Sequence, residues 1–414
     1  MKGWKEYSFK DITTKIGSGS TPTGGKEAYY NSGITLVRSL NIYDFEFEYK
    51  DLAFINEQQA KKLNGVTIEK DDILLNITGS SVGRCTIIPE KLLPARVNQH
   101  VSIIRTNKEI VDSKFLLYSI NSSFYKEALM LIADSGSTRE ALTKVDIEKF
   151  KIFLPSLPSQ QRIASILSAY DDLIETNNQR IKLLEQTARE LYKEWFVRMR
   201  FPDYKKTKFK KGIPEGWEIK EIRDFGKVVT GKTPSTFVPE YYGGNIPFIK
   251  TPDMHGNMFI LETYEYISEK GLNSQKSQTL PSDSIVVNCI GALSGSVSIT
   301  TEISQTNQQI HSVKLFHTKQ LEFLFHAISD LREMIHLYGN TGSTMTNLSK
   351  GKFEKLKILF PKNDFVEKYN YLVNPMFNQI KTLNQQNTQL RQIRDRLLPR
   401  LMSGKLQVKS MNRI

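Results

Sequence analysis

Gly226 to Thr233 reads GKVVTGKT and fits G-x-x-x-x-G-K-[ST] at every position, the pattern of a loop whose backbone N–H groups and lysine cradle nucleotide phosphates. That chemistry needs a buried strand before the loop and a helix directly after it, so that the helix N-terminus meets the phosphates. After Thr233 the chain continues PSTFVPEYYGG, where Pro239 and two glycines stop any helix within a turn. No apolar run ending in an acid offers a magnesium-holding partner. Nucleotide hydrolysis is therefore not expected, and the match is read as accidental.

A second chemical pattern is NPMF, Asn374 to Phe377. It is similar to the Asn-Pro-Pro-Phe/Tyr loop with which adenine methyltransferases hold a flipped base. Met376 stands where the second proline belongs and falls on a helical seam, and no glycine-rich methyl-donor motif accompanies it. Nucleophile–base pairs, paired carboxylates and nuclease-like acid/lysine clusters are not evident. The six histidines have no metal-ligand spacing. The chain is expected to be non-catalytic and to bind neither metal nor cofactor itself.

Charge supplies the positive indication. Lys and Arg outnumber Asp and Glu 57 to 44, a net +13 that points to a polyanionic partner, with nucleic acid the default. From Arg189 to Lys211 nine bases face three acids. Charged residues at 24% and hydrophobic residues at 39% read as a soluble globular chain. No apolar run of membrane-spanning length and no signal-peptide core occur, and Cys85 and Cys289 lack a close partner, so a cytoplasmic protein with free thiols is expected.

The chain is written twice. GWKEYSFKDI from Gly3 returns as GWEIKEIRDF from Gly216, and GSTP (19–22) as GKTP (231–234). ITLVR (34–38) answers IPFIK (246–250), ILLNITGSSVG (73–83) answers IVVNCIGALSG (285–295), and Asn98-Gln99 answers Asn307-Gln308. SGST (135–138) answers TGST (341–344) at an offset of 206 residues that holds through Pro155/Pro361. In the first repeat the phosphate-loop pattern disappears, because Thr14 stands for Gly226 and Ser20 for Lys232. What both copies keep is a Gly-x-Thr-Pro turn.

Each repeat divides into a mixed domain and a long helix: domains at 1–155 and 214–360, helices at 156–200 and 361–404, and a basic linker at 201–213. In the first helix Ile163, Leu167, Tyr170, Ile174, Asn177, Ile181, Leu184, Ala188, Leu191 and Trp195 recur at 4-3 spacing. Tyr369, Val373, Met376, Ile380, Leu383, Asn387, Leu390, Arg394, Leu397 and Leu401 repeat it, with Arg394 the least comfortable member. The expected fold class is α+β: two tandemly duplicated mixed domains separated by a long antiparallel two-helix coiled coil that acts as a spacer. Pro375 is expected to kink or restart the second helix. Asn177 is expected to set register, so that its replacement by leucine raises the melting temperature and loosens the pairing.

PEGWE (214–218), the paired Gly-x-Thr-Pro turns, GST with a downstream leucine in each half, and above all IFLPSLPSQQRIASIL (152–167) resemble the specificity (S, HsdS) subunit of type I restriction-modification enzymes. Two departures stand out: LFPKNDFVEKYNYLV lacks the usual Leu-Pro-x-x-Glu-Gln run, and Arg394 occupies the second seam. The resemblance implies a non-catalytic reader whose two target-recognition domains bind the halves of a bipartite double-stranded DNA site. It implies two methyltransferase (M) subunits docked on helices and domains, and two motor-nuclease (R) subunits in the full complex. S-adenosylmethionine, ATP and magnesium would belong to those partners. Other readings are a stand-alone DNA-binding regulator, a P-loop NTPase or an adenine methyltransferase.

Phosphate contacts favour Lys, Arg and hydroxyl-rich loops; base edges favour Arg on guanine and Asn or Gln on adenine. The candidates in the first domain are Thr21, Lys26, Arg38, Ser80, Ser81, Arg84, Asn98, Gln99 and Arg139. In the second they are Lys232, Thr233, Lys250, Ser294, Asn307, Gln308 and Thr344. Features shared by both copies also suit a purely structural role, so Arg84 and Arg139, which have no twin, are the preferred base readers.

Overall fold

The computed structural model describes residues 3–22, 24–134, 141–339 and 347–408. Its contacts divide the chain into two units, one comprising residues 1–176 and 388–414 and the other residues 177–387. No helix among the described residues is long and apolar enough to cross a membrane.

Unit 1 carries an antiparallel sheet in the order Thr13–Ser18, Val101–Thr106, Ile73–Asn76, Cys85–Ile87. One row across it aligns Ile16, Ile104, Ile73 and Ile87. In unit 2 the matching row is Val228, Val313, Ile285 and Ile299, in strands Gly226–Thr230, Ile310–Leu315, Ile285–Asn288 and Val297–Thr300. Ile73, Ile104, Val313, Ile285 and Ile299 are fully buried. β-branched side chains on one face, in the same register twice, are what a duplicated half-buried sheet requires. A second sheet in each unit mixes parallel and antiparallel pairs: Ile34–Val37 beside Ala95–Val97, and Tyr242–Ile249 beside Gln305–Thr306, are the parallel ones.

The long helices are Leu157–Tyr192, extended by a π-turn at Lys193–Val197, and Asn363–Met402. Each unit is completed by one segment from each helix, paired antiparallel. In unit 1 Ile163 and Leu167 share a core with Leu398, Leu401 and Met402. In unit 2 Ile181 and Ala188 share one with Tyr369, Val373, Ile380 and Leu383, and the Tyr369 hydroxyl donates to the Ala188 carbonyl at 3.2 Å. Each fully buried leucine of this kind contributes about 2 kcal/mol.

Seam burial is uneven. Ile163, Leu167, Ile174, Asn177, Ile181, Trp195, Val373, Ile380, Leu383 and Asn387 are buried, while Tyr170, Leu184, Leu191, Leu390 and Leu397 are half-buried. At two places the neighbouring residue goes deepest: Phe377 rather than Met376, and Leu398 rather than Leu397. The 4-3 spacing describes a helix that buries one seam against one partner. Here Phe377 also meets Phe325 and His326 of helix Leu321–Asp330, so the buried face widens towards the domain.

Packing adds detail at three places. The helix runs unbroken through Pro375, so it does not restart there. Tyr371, whose carbonyl the proline leaves without its i+4 donor, is 82% exposed, so solvent can satisfy that oxygen. The basic linker at 201–213 is packed: Phe201 is fully buried against Trp217 and Phe365 at ring-centroid distances of 5.0 and 4.8 Å, and Phe209–Lys210 pairs with Ile213–Pro214. Arg394 is comfortable in its seam. Its Nη1 lies 2.5 Å from Asp171 Oδ1, its guanidinium stands 4.2 Å from the Phe45 ring centroid, and the Tyr118 hydroxyl donates to the other Asp171 oxygen.

The unlike junctions also find a reason. Gln160 of the first is buried; its Oε1 accepts from the Asp112 N–H, and its Nε2 donates to the Ile110 and Pro155 carbonyls. The duplicated position is Val366, 2% exposed, which fills the same place without polar groups.

Candidate nucleic-acid interface

In each unit three turns meet where the main sheet's strands end. The Gly-x-Thr-Pro turn follows the first strand, the Asn-Gln pair precedes the strand beside it, and a glycine-containing loop follows the central strand. In unit 1 the Gly19 N–H donates to the Asn98 carbonyl at 3.1 Å, and the Ile77 N–H to the His100 carbonyl at 2.9 Å. In unit 2 the Gly231 N–H donates to the Ile310 carbonyl at 3.1 Å, and the Cys289 N–H to the Gln309 carbonyl at 3.0 Å.

This packing explains the shared glycine. A Cβ on Gly19 would overlap the Val97 carbonyl, and one on Gly231 the Asn307 carbonyl. Gly-Lys-Thr in the second copy is thus a close backbone approach, not a phosphate cradle: no helix follows Thr233 until a 3-10 turn at Pro239–Tyr241. Asn374 to Phe377 lies within the second long helix, where Asn374 Nδ2 donates to Glu322 at 2.6 Å. Among the described residues no cluster of His, Cys, Asp or Glu could hold a metal.

The same threonine serves both copies. The Thr21 hydroxyl donates to Gln99 Oε1, and the Thr233 hydroxyl donates to Gln308 Oε1 at 2.7 Å; both glutamines are exposed. Asn98 and Asn307 are used internally, each Oδ1 accepting from the backbone N–H two residues on, at 3.1 and 3.2 Å. These are Asx turns that shape the loop. Ser80 is exposed and Ser81 accepts from Asn76 Nδ2 at 3.2 Å, but Ser294 is 1% exposed and bonded to His336 at 2.8 Å, which commits it to the interior. Lys232 is exposed, with its backbone N–H donating to the Thr306 carbonyl.

The strand-ending bases are partly occupied. Arg38 donates to the Asp51 carbonyl and stands 5.2 Å from the Tyr29 ring; Lys250 pairs with Glu265. Arg84 lies 4.8 Å over the Tyr43 ring, itself 43% exposed, which orients the guanidinium. Its counterpart in unit 2 is Ser296, whose hydroxyl turns to the Leu293 carbonyl. Arg139, Thr344 and the side chain of Lys26 lie outside the described residues.

Within the basic stretch Glu190 pairs with Lys193 and Arg198, Glu194 with Arg198 and Arg200, and Asp203 with Lys206. Lys205, Lys208, Lys210 and Lys211 are exposed. Sequence reasoning passed over His100 and Gln309, the residues directly after the two glutamines. His100 Nδ1 lies 2.6 Å from Thr78 Oγ1, and the Thr251 hydroxyl donates to Gln309 Oε1 at 2.8 Å. Their position after a duplicated pair, with different residues in the two copies, was the signal available.

Known proteins place these observations. The profile of the family described as "Type I restriction modification DNA specificity domain" matches residues 1–186 and again 214–392. The HindI specificity subunit of Haemophilus influenzae is 28% identical, covering 98% of this chain and all of that one. The MjaIX specificity subunit of Methanocaldococcus jannaschii is 27% identical, covering 99% and 95%. A solved type I restriction-modification S subunit from M. genitalium shares the fold, with a TM-score of 0.59 at 15% identity over 96% of both chains. The chain therefore belongs to the family of type I restriction-modification DNA specificity domains, and carries that domain twice.

Proposed function

We propose that this chain is the DNA-reading subunit of a type I restriction-modification complex and performs no reaction itself. Each unit reads one half of a bipartite duplex site through the loops around its Gly-x-Thr-Pro turn. The paired helices set the spacing between the halves and dock two methyltransferase subunits; two motor-nuclease subunits complete the assembly. S-adenosylmethionine, ATP and magnesium are held by those partners. The observation that carries this reading is the repetition, in both family domains, of one loop cluster with the same threonine–glutamine contact.

Physical scale agrees. Helices of 36 and 40 residues are long enough, at about 1.5 Å per residue, to span the ~34 Å between half-sites one helical turn apart. Net charge of +13 supplies a phosphate-driven component, so affinity should fall steeply with salt. Co-expression with a type I methyltransferase subunit, followed by mapping of methylated adenines, tests the proposal. Two short blocks separated by a constant gap are expected; a single contiguous block, or no methylation, would overturn it.

A further inference from the structure

The two exposed glutamines present an unusual edge. A glutamine reads adenine by laying its whole amide against the base: the carbonyl accepts from N6–H while the amide donates to N7. In both units that carbonyl is already turned onto a threonine hydroxyl, Thr21 for Gln99 and Thr233 for Gln308. Each threonine is held by a turn that only glycine can begin, since a Cβ on Gly19 or Gly231 would strike backbone. The contact is therefore built into the loop.

Unit 1 adds a second restraint. Gln99 Nε2 lies 3.2 Å from His100 Nε2. An amide nitrogen only donates, so His100 Nε2 accepts and the ring proton sits on Nδ1, facing Thr78 Oγ1. One N–H of Gln99 remains to point outward. In unit 2 the residue after the glutamine, Gln309, instead directs its carbonyl to Thr251 and to Asn307 Nδ2, at 2.8 and 3.3 Å.

We propose that the threonine of each Gly-x-Thr-Pro turn fixes its glutamine as a donor-only contact to a hydrogen-bond acceptor on DNA, and so denies it the two-bond contact by which a glutamine reads adenine. The acceptor is guanine O6/N7 or a phosphate oxygen. This inference rests on the DNA-reading function proposed above.

The test uses the full chain assembled with methyltransferase subunits and a pool of randomised DNA duplexes. Thr21→Val removes the hydroxyl but keeps the side chain's shape, and Thr21→Ser restores the hydroxyl. If the acceptor is guanine, Thr21→Val admits adenine at one position of one block, shifting the guanine-to-adenine ratio about tenfold. If it is phosphate, the selected motif stays the same and affinity falls about threefold to tenfold. In both cases Thr21→Ser behaves as the parent, and equal melting temperatures exclude a folding loss. Gln99→Glu provides an independent arm: it replaces the donor with a carboxylate, and binding should fall more than about tenfold. The inference is overturned if Thr21→Val keeps both motif and affinity, or if Gln99→Glu binds as the parent does. A parent complex that selects a bipartite motif while these variants change nothing removes this inference alone. A parent that selects no motif removes the DNA-reading function with it.

Discussion

At the same step of their helical seams the two units bury opposite chemistry. Unit 1 places Asp171 against Arg394, with Tyr118 on the free carboxylate oxygen and Phe45 over the guanidinium. The duplicated positions in unit 2 are Phe377, Ala188 and Leu324, all buried and apolar. A packed apolar group needs only volume, whereas an enclosed ion needs its own counter-ion. If like segments paired, Asp171 would face alanine and Arg394 would face phenylalanine, each an uncompensated charge costing several kcal/mol. The two copies thus share a backbone pattern but not a seam chemistry, and the unlike chemistry favours pairing of unlike segments.

Breaking that contrast gives the largest expected effect. Arg394→Ala strands Asp171, whose side chain is 22% exposed, and should cost about 3 kcal/mol in denaturant unfolding. Grafting the chemistry of unit 2, with Asp171→Phe, Arg394→Ala and Tyr118→Leu together, should recover most of it. A loss from Arg394→Ala below about 1 kcal/mol, the worth of an exposed pair, would show that the two seams are equivalent after all.

Acid offers a second contrast of similar size. His326 is buried between aromatic rings, and burial pushes its pKa from 6.5 down to about 4; the duplicated position in unit 1 is Ile120. The unfolded chain takes up the proton first, so this group's contribution is complete above pH 6.5 and is lost as pH falls towards about 4. At most roughly 3 kcal/mol is involved. Amide exchange should show core protection in unit 2 declining across that window, with His326→Leu flattening the decline. A profile left unaltered by His326→Leu would contradict the assignment.

The buried asparagines carry an effect of intermediate size. Asn177 Nδ2 donates to Asn387 Oδ1 at 2.9 Å, and Asn387 Nδ2 donates to Asn178 Oδ1 at 2.8 Å, whereas the duplicated seam positions, Leu383 and Ile181, are apolar. Contrary to the expectation from sequence, Asn177→Leu alone should lower stability by about 1–2 kcal/mol, because Asn387 keeps a buried oxygen without its donor. Leucine at both 177 and 387 should be neutral or stabilising and should loosen register, read by cysteine crosslinking across the pair. A rise in melting temperature for the single variant would refute this account.

The smallest effect concerns Arg84, whose unit 2 counterpart is Ser296. Arg84→Ala should weaken specific binding by about 1 kcal/mol more than binding to random duplex. Equal losses on both would assign Arg84 to phosphate or to folding.

The duplication and the long helices were legible because each leaves a signature in the chain itself: a constant offset, and a 4-3 spacing repeated at that offset. The accidental phosphate loop was recognisable from the missing helix. What escaped was long-range pairing. Nothing local announces that Asp171 will meet Arg394, because their contact depends on the register of two helices separated by a whole domain. Phe377 was passed over for Met376 because the seam was drawn for one helix partner, while the helix also packs on its own domain. Ser294 was read as a loop hydroxyl, although His336 draws it inside. Thr21, Gln99, Thr233 and Gln308 could each be named from residue type; that each threonine holds its glutamine became visible only when the turns were brought together.

The account rests on two separately addressable readers in one chain. Its most direct test is the methylation motif of the assembled complex carrying Arg84→Ala or, separately, Gln308→Leu. Arg84→Ala should relax selectivity in one block only, Gln308→Leu should leave that block's selectivity intact, and neither should change the gap. Relaxation of both blocks by either substitution would contradict it.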